Sequence, residues 1–244
     1  MMPDPPITES DEVDCVLRDQ GYAVLDARGL TRVLDVERPS LDSLSRYWSD
    51  LPGDSHLRDG GHYRRRRHSC FVVEGQGVRQ VPHRAHWQPT EYNALHGGIR
   101  RWFEPIDTTM IACPAWTRLL SAMGRRASAL RGERPWYVEA HAFRIDTSDG
   151  IGRPTPEGAH RDGVDLVAVL LVERRGVKCG ETRVFEAEGP RGTRFTLREP
   201  WTALLLDDAR VIHETTPIQP LDAAVPGWRD TLVLTYRAGG FQEP

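Results

Sequence analysis

Hydrophobic and polar positions change rhythm twice along this chain. In the first sixty residues apolar side chains recur at helical spacing. Val13, Val16 and Leu17 form one stripe that Ser10 can cap and Gly21 can end, and Leu41, Leu44, Tyr47, Trp48 and Leu51 form a second that begins at Ser40. Residues 22–25 between them read as a strand. From Gly61 the pattern turns to β, with an extended strand over 62–73 and its possible partner over 78–81. Helical spacing returns after Pro114, where Trp116, Leu119, Leu120, Met123, Ala127 and Leu130 share a face as core contacts until Gly132 stops the helix. Beyond Pro135 the alternation predicts strands over 136–145, 164–172, 181–187, 193–197, 201–206 and 229–237, which can roll into a small barrel. The chain is therefore expected to be mainly β with flanking helices. Its predicted organisation is a single domain over 1–244, with a mobile leader over 1–10, helices and flanking strands over 11–132 and a barrel core over 136–238.

Composition narrows the classes. A net charge of −3 argues against a general polyanion binder although arginine is abundant, and Lys178 is the only lysine. The run Arg64 to Arg67 sends two guanidiniums to each face of its strand, so no nucleic-acid partner is expected. Four widely spaced cysteines, no basic-then-apolar leader and no apolar run long enough for a bilayer predict a soluble, cytoplasmic protein without membrane association. His83 and His86 have ligand-like spacing but no third partner, and are read as loop residues.

The chemistry is concentrated near residue 160. A His-x-Asp tripeptide carries little information alone, because chance produces it often. Context raises it: Pro156, Glu157 and Gly158 make a turn before His160 and Asp162, and Gly163 opens an apolar run after them. At the mouth of a strand, residues i and i+2 face the same way, so His160 and Asp162 can meet one ion while Arg161 points off. His213, which follows the strand-like run at 201–206 through a turn at Asp207 and Asp208, is the candidate third ligand. Its bland alternative is a core histidine satisfied by backbone. Two imidazoles and a carboxylate can hold one face of Fe(II), leaving positions for a chelating cosubstrate and O2. A 2-oxoglutarate cosubstrate carries a second carboxylate that a bidentate guanidinium suits. Arg229 and Thr231, on one face of the last strand, are the candidates. The triplet His160, Arg161, Asp162 also imitates a kinase loop, but Val167 stands where that loop needs a metal-binding Asn.

The stretch Pro-Glu-Gly-x-His-x-Asp-Gly at 156–163, followed by Asp207, Asp208, His213, Thr216, Pro217, Arg229 and Asp230, resembles the bacterial 2-oxoglutarate and Fe(II)-dependent dioxygenases related to L-isoleucine hydroxylase. The similarity extends upstream through His141, Phe143 and Arg144, and more loosely through Gln88, Tyr92, Asn93, Gly97 and Gly98. It implies a double-stranded β-helix, a cupin-like jelly roll. It also implies hydroxylation of carbon, or oxidation of a thioether, on a small substrate, a free aliphatic L-amino acid, with succinate and CO2 as coproducts. In that frame His160, Asp162 and His213 serve as catalytic metal ligands, Arg229 and Thr231 bind the cosubstrate, and Glu139, His141 and Arg144, or an inward Arg among 64–67, meet the substrate. Asp162 excludes the halogenating relatives, which need a small residue there, and Thr235 stands where related nucleic-acid demethylases place a second Arg. Cys179 departs from the family's Gly-Gly-Glu turn before Glu181. A different class, a non-enzymatic cupin that stores or senses a metal or small ligand, shares the fold but would not require Arg229 with Thr231.

Overall fold

The structure is a computed structural model that describes residues 3–93 and 95–244. Helix α1 (Val13–Gln20), strand β1 (Tyr22–Leu25), helices α2 (Ala27–Leu34) and α3 (Arg38–Asp42) and a 3-10 turn at Ser45–Trp48 open the chain. Strands β2 (Arg64–Glu74) and β3 (Gly77–Gln80), helices α4 (Thr108–Ile111) and α5 (Pro114–Arg131) and strand β4 (Trp136–Asp146) follow. The C-terminal half holds β5 (Leu166–Arg175), β6 (Val177–Cys179), β7 (Thr182–Glu186), β8 (Gly192–Phe195), β9 (Ala203–Leu206), β10 (Val211–Thr215), β11 (Ile218–Pro220) and β12 (Trp228–Ala238).

Seven strands form the large sheet in the order β1-β9-β5-β12-β4-β2-β3. Smaller sheets, β10-β7-β8 and β11-β6, complete the double-stranded β-helix. Alternation divides the large sheet into two chemistries. One face of β2, β4, β5, β9 and β12 presents Phe71, Val138, Ala140, Leu170, Leu205, Leu232 and Leu234 to the helices, where they pack with Trp116, Leu119, Leu120 and Met123 of α5. Burying each of the larger side chains contributes about 1.5–3 kcal/mol. The opposite face of β2, β4 and β12 is mostly polar and lines a cavity. Its rows are set by register: Arg229 pairs with Ile145 and Ile145 with Arg64, then Thr231 with Phe143 and Phe143 with Arg66.

The structure differs from the expected elements in places with plain causes. Helix α1 starts at Val13, and Glu12 rather than Ser10 takes the position before it. Helix α2 was not among the expected elements, although Leu30 and Leu34 share its buried face. Asp26 caps it by accepting from the Gly29 N–H at 2.6 Å. The stripe from Ser40 breaks into α3 and the 3-10 turn. The segment expected as a mobile leader lies along β1, with Ile7 bridged to Val24 and the Thr8 N–H donating to the Val24 carbonyl at 2.7 Å. Cys179, at the departure from the Gly-Gly-Glu pattern, turns in the left-handed region with φ 62°, followed by Gly180 at φ 70°.

Candidate functional site

His160 lies outside a regular strand. A single bridge joins it to His213 of β10, each backbone N–H donating to the other's carbonyl at 3.0 and 2.9 Å. This pairing, rather than strand alternation, sets the two rings 4.6 Å apart between centroids. Asp162 follows on irregular backbone because β5 starts only at Leu166. Its position comes from Asp208, whose carboxylate accepts the N–H groups of Asp162, Gly163 and Val164 at 3.0, 2.7 and 3.0 Å. Gly163 takes φ 74°, and a Cβ there would strike the Tyr92 ring, so only glycine fits the bend. From the far end of the chain the Gln242 side-chain amide donates to the Asp162 and Gly163 carbonyls, both at 3.0 Å. Phe241 beside it lines the cavity under the Arg84 guanidinium, 4.2 Å from its ring centre, and Arg84 pairs with Glu243.

The ligand atoms of His160, Asp162 and His213 lie within 4.8 Å of one another. His160 Nε2 stands 3.9 Å and His213 Nε2 3.8 Å from the Asp162 oxygens. His160 donates its Nδ1–H to the Gly158 carbonyl at 3.0 Å, which leaves the Nε2 lone pair facing the cluster. Burial holds His213 well below the ordinary histidine pKa and so keeps its ring neutral. Burial raises the Asp162 carboxyl to about 7 despite the opposing pull of His160. Gln88 donates to Asp162 at 3.2 Å while its oxygen accepts from Asn93 and Arg101, each at 3.1 Å.

Arg229 and Thr231 reach the cavity from β12, both 3% exposed. Arg229 Nε and Nη2 are buried without a hydrogen-bond partner among the described residues. Burial, together with repulsion from Arg174, lowers the guanidinium to about 10, so it remains a cation at neutral pH.

The chain matches the 2OG-Fe dioxygenase family over residues 45–235. It belongs to that family. A crystal structure of a bsmA homolog from Methylobium petroleophilum PM1 is 55% identical, with a TM-score of 0.93 over 100% of this chain and 99% of that one. More distant are IDO from Bacillus thuringiensis, 15% identical with a TM-score of 0.72 over 96% of this chain and 100% of that one, and the Fe(II)/α-ketoglutarate-dependent dioxygenase TqaL, 19% identical with a TM-score of 0.74 over 96% and 90%. These two show a shared fold. No curated protein matches in sequence. The 2OG-Fe dioxygenases are oxidoreductases that use Fe(II), 2-oxoglutarate and O2. Among the described residues no helix is long and apolar enough to cross a membrane.

Of the expected substrate residues, Glu139 and His141 line the cavity from β4, and Arg144 does not. One residue out of phase with them, Arg144 lies on the helix-facing side of the sheet. It forms a two-pronged pair with Asp230, 2.7 and 2.6 Å, over the Trp228 ring. The inward arginines of the 64–67 run are Arg64 and Arg66. His86, expected as a loop residue, is buried and donates from Nδ1 to Glu139 at 2.5 Å. The cavity also receives Arg101 and Glu157, which sequence reasoning missed. Arg101 sits on irregular backbone without a periodic signal. Glu157 was read only as a turn residue.

Proposed function

We propose that this dioxygenase oxidises a free aliphatic L-amino acid, by hydroxylation or sulfoxidation, with release of succinate and CO2. The observation that carries this reading is the convergence of His160, Asp162 and His213 with Arg229 and its orphaned donors in one cavity. Two imidazoles and a carboxylate are a donor set that Fe(II) accepts, and bonds of about 2.1 Å span the 3.8 and 3.9 Å separations. His160, Asp162 and His213 would therefore hold the iron, as the residues fit it. Bound there with 2-oxoglutarate and O2, iron supplies the oxidation, one oxygen atom passing to the substrate and the other into succinate.

The protein's own part is placement. Arg229 and the Thr231 hydroxyl grip the distal carboxylate of 2-oxoglutarate, a pairing that a guanidinium makes through two parallel N–H bonds. Asp208 fixes the Asp162 backbone, Gln88 its carboxylate, and the Gly158 carbonyl fixes the His160 ring. The remaining lining carries both signs that an amino acid needs: the arginines of β2, Glu139 on the neighbouring strand β4, and Glu157 on the segment before His160. Glu157 Oε2 is buried without a partner among the described residues.

The test is mass spectrometry of an amino-acid panel incubated with the protein, Fe(II), 2-oxoglutarate and ascorbate. One or more members should gain a single oxygen atom in step with succinate. Succinate release that no amino acid accelerates would remove the substrate assignment. Arg229→Ala should raise the KM for 2-oxoglutarate by about 10–100-fold, the worth of a buried charge-assisted pair; an unchanged KM would remove that role.

A further inference from the structure

Three guanidiniums crowd the cavity wall formed by β2 and the segment between β3 and α4. Strand alternation turns Arg64 and Arg66 inward, while a reciprocal pair of backbone hydrogen bonds with His86, 2.9 Å each, delivers Arg101. All three side chains are buried, and each keeps one buried nitrogen without a partner among the described residues: Arg64 Nη2, Arg66 Nε and Arg101 Nε. Phe103 and Phe143 lie 3.7 and 4.5 Å from the Arg66 guanidinium and fix its plane. Asp54 pairs with Arg64 at 2.7 Å and lies 3.9 Å from Arg66. Glu139, the next carboxylate, is engaged by imidazoles. Three buried cations thus lie near Asp54, Glu139, which the imidazoles engage, and Glu157, and still keep a buried nitrogen each without a partner among the described residues, an arrangement that burial and mutual repulsion make costly until a further acceptor joins it.

The imidazoles beside this wall suggest a rival use. His68, His86, Glu139 and His141 place ligand atoms within 4.8 Å of one another, as a second cation site would. The hydrogen bonding opposes it. Arg66 Nη2 stands 2.7 Å from His141 Nδ1, and a guanidinium can only donate, so the His141 lone pair points to Arg66 and its Nε2–H points towards Glu139. Glu139 also accepts from His86 Nδ1 at 2.5 Å and His68 Nε2 at 3.1 Å. The cluster is a carboxylate held by N–H donors, beside three arginines that repel a metal cation.

We infer that Arg66, with Arg64 and Arg101, is the subsite for the substrate's acid group, so that this enzyme takes small molecules bearing a carboxylate. This rests on the cavity being the dioxygenase site proposed above. Arg64 and Arg229 share a register row with one strand between them, which separates their backbones by about 10 Å. Cosubstrate and substrate carboxylates therefore have different anchors, on opposite sides of Ile145 and Phe143.

Thermal unfolding of the metal-free protein tests this without turnover. The probes are aliphatic L-amino acids, the same acids without the amino group, and the matching primary amides. The acids should raise the midpoint and the amides should not. Arg66→Lys, and Arg101→Gln on the irregular segment, should each weaken acid binding at least about tenfold, while Arg229→Ala leaves it within about twofold. Equal binding of amides, loss that follows Arg229 instead of Arg66 and Arg101, or no binding of any acid would overturn the inference. Succinate release by the same protein after Fe(II), 2-oxoglutarate and ascorbate are supplied is scored separately. Acid binding through Arg66 without succinate sinks the dioxygenase reading and leaves the subsite standing; succinate without acid binding does the reverse.

Discussion

The two sides of the cavity are built by different means. On the large sheet, Arg64, Arg66, Glu139, His141, Arg229 and Thr231 take their places from strand register, and the long pairings of β4 with β2 and β12 share the work. On the other side, His160 and Asp162 stand on irregular backbone held by one bridge to His213, the Asp208 carboxylate and the Gln242 amide. The sheet side resists single changes in backbone contacts. The side that carries His160 and Asp162 depends on a few polar groups, each of which holds part of its irregular backbone.

Removing a ligand should have the largest effect. Asp162→Ala should reduce succinate production to the level without enzyme while leaving thermal stability nearly intact, and undiminished turnover would refute the ligand assignment. Next comes the support beneath it. Asp208→Asn removes a charge that three N–H groups share, and should cost about 10–100-fold in Fe(II) affinity by titration. A comparable conservative change on the sheet side, Thr235→Val, should leave that affinity unchanged; an equal loss there would erase the contrast between the two sides.

Acid should expose the sheet side in turn. Burial lowers His86 to about 4, and lowers His68 and His141 as well, so the folded protein keeps these rings neutral while unfolded chains take up protons below about 6.5. Stability should fall as pH drops from 6.5 towards 4. Asp54 and Glu139 are held below their ordinary range, with arginines and imidazoles respectively overcoming burial. Their contribution is present above their unfolded values and is lost below them, in a second stage. Urea unfolding of His86→Asn should show a shallower first stage, and an unchanged slope would remove His86 from it. The smallest effect concerns the turn at Cys179: its φ of 62° costs an ordinary residue about 1 kcal/mol, so Cys179→Gly should change stability by no more than about that, in the favourable direction. A marked loss would show that the side chain packs for a purpose.

The legible part of the sequence was what strands and motifs encode locally. Alternation sent two of the arginines of the 64–67 run to each face without saying which pair faced inward, and put Arg229 with Thr231, and the turn at 156–158 marked His160 and Asp162. The same parity, applied to β4, would have set Arg144 apart from Glu139 and His141. His86, Gln88 and Arg101 were illegible as site residues for a physical reason. They ride on irregular backbone between β3 and α4, where side-chain direction follows tertiary hydrogen bonds such as that of Gln88 to Asp162, and no period reports it. Three-residue strands such as β6 and β11 are too short to show alternation, and they pair with each other across about forty positions of chain.

The Gln242 amide has a consequence for the order in which the molecule matures. Its two acceptors, the carbonyls of Asp162 and Gly163, are synthesised about eighty positions ahead of it. A nascent chain can pair His160 with His213 as soon as β10 emerges, but the bend at Gly163 lacks its outer strap until residues 241–243 arrive. The strap on the loop that carries His160 and Asp162 is therefore synthesised after β12, the strand that completes the sheet facing it.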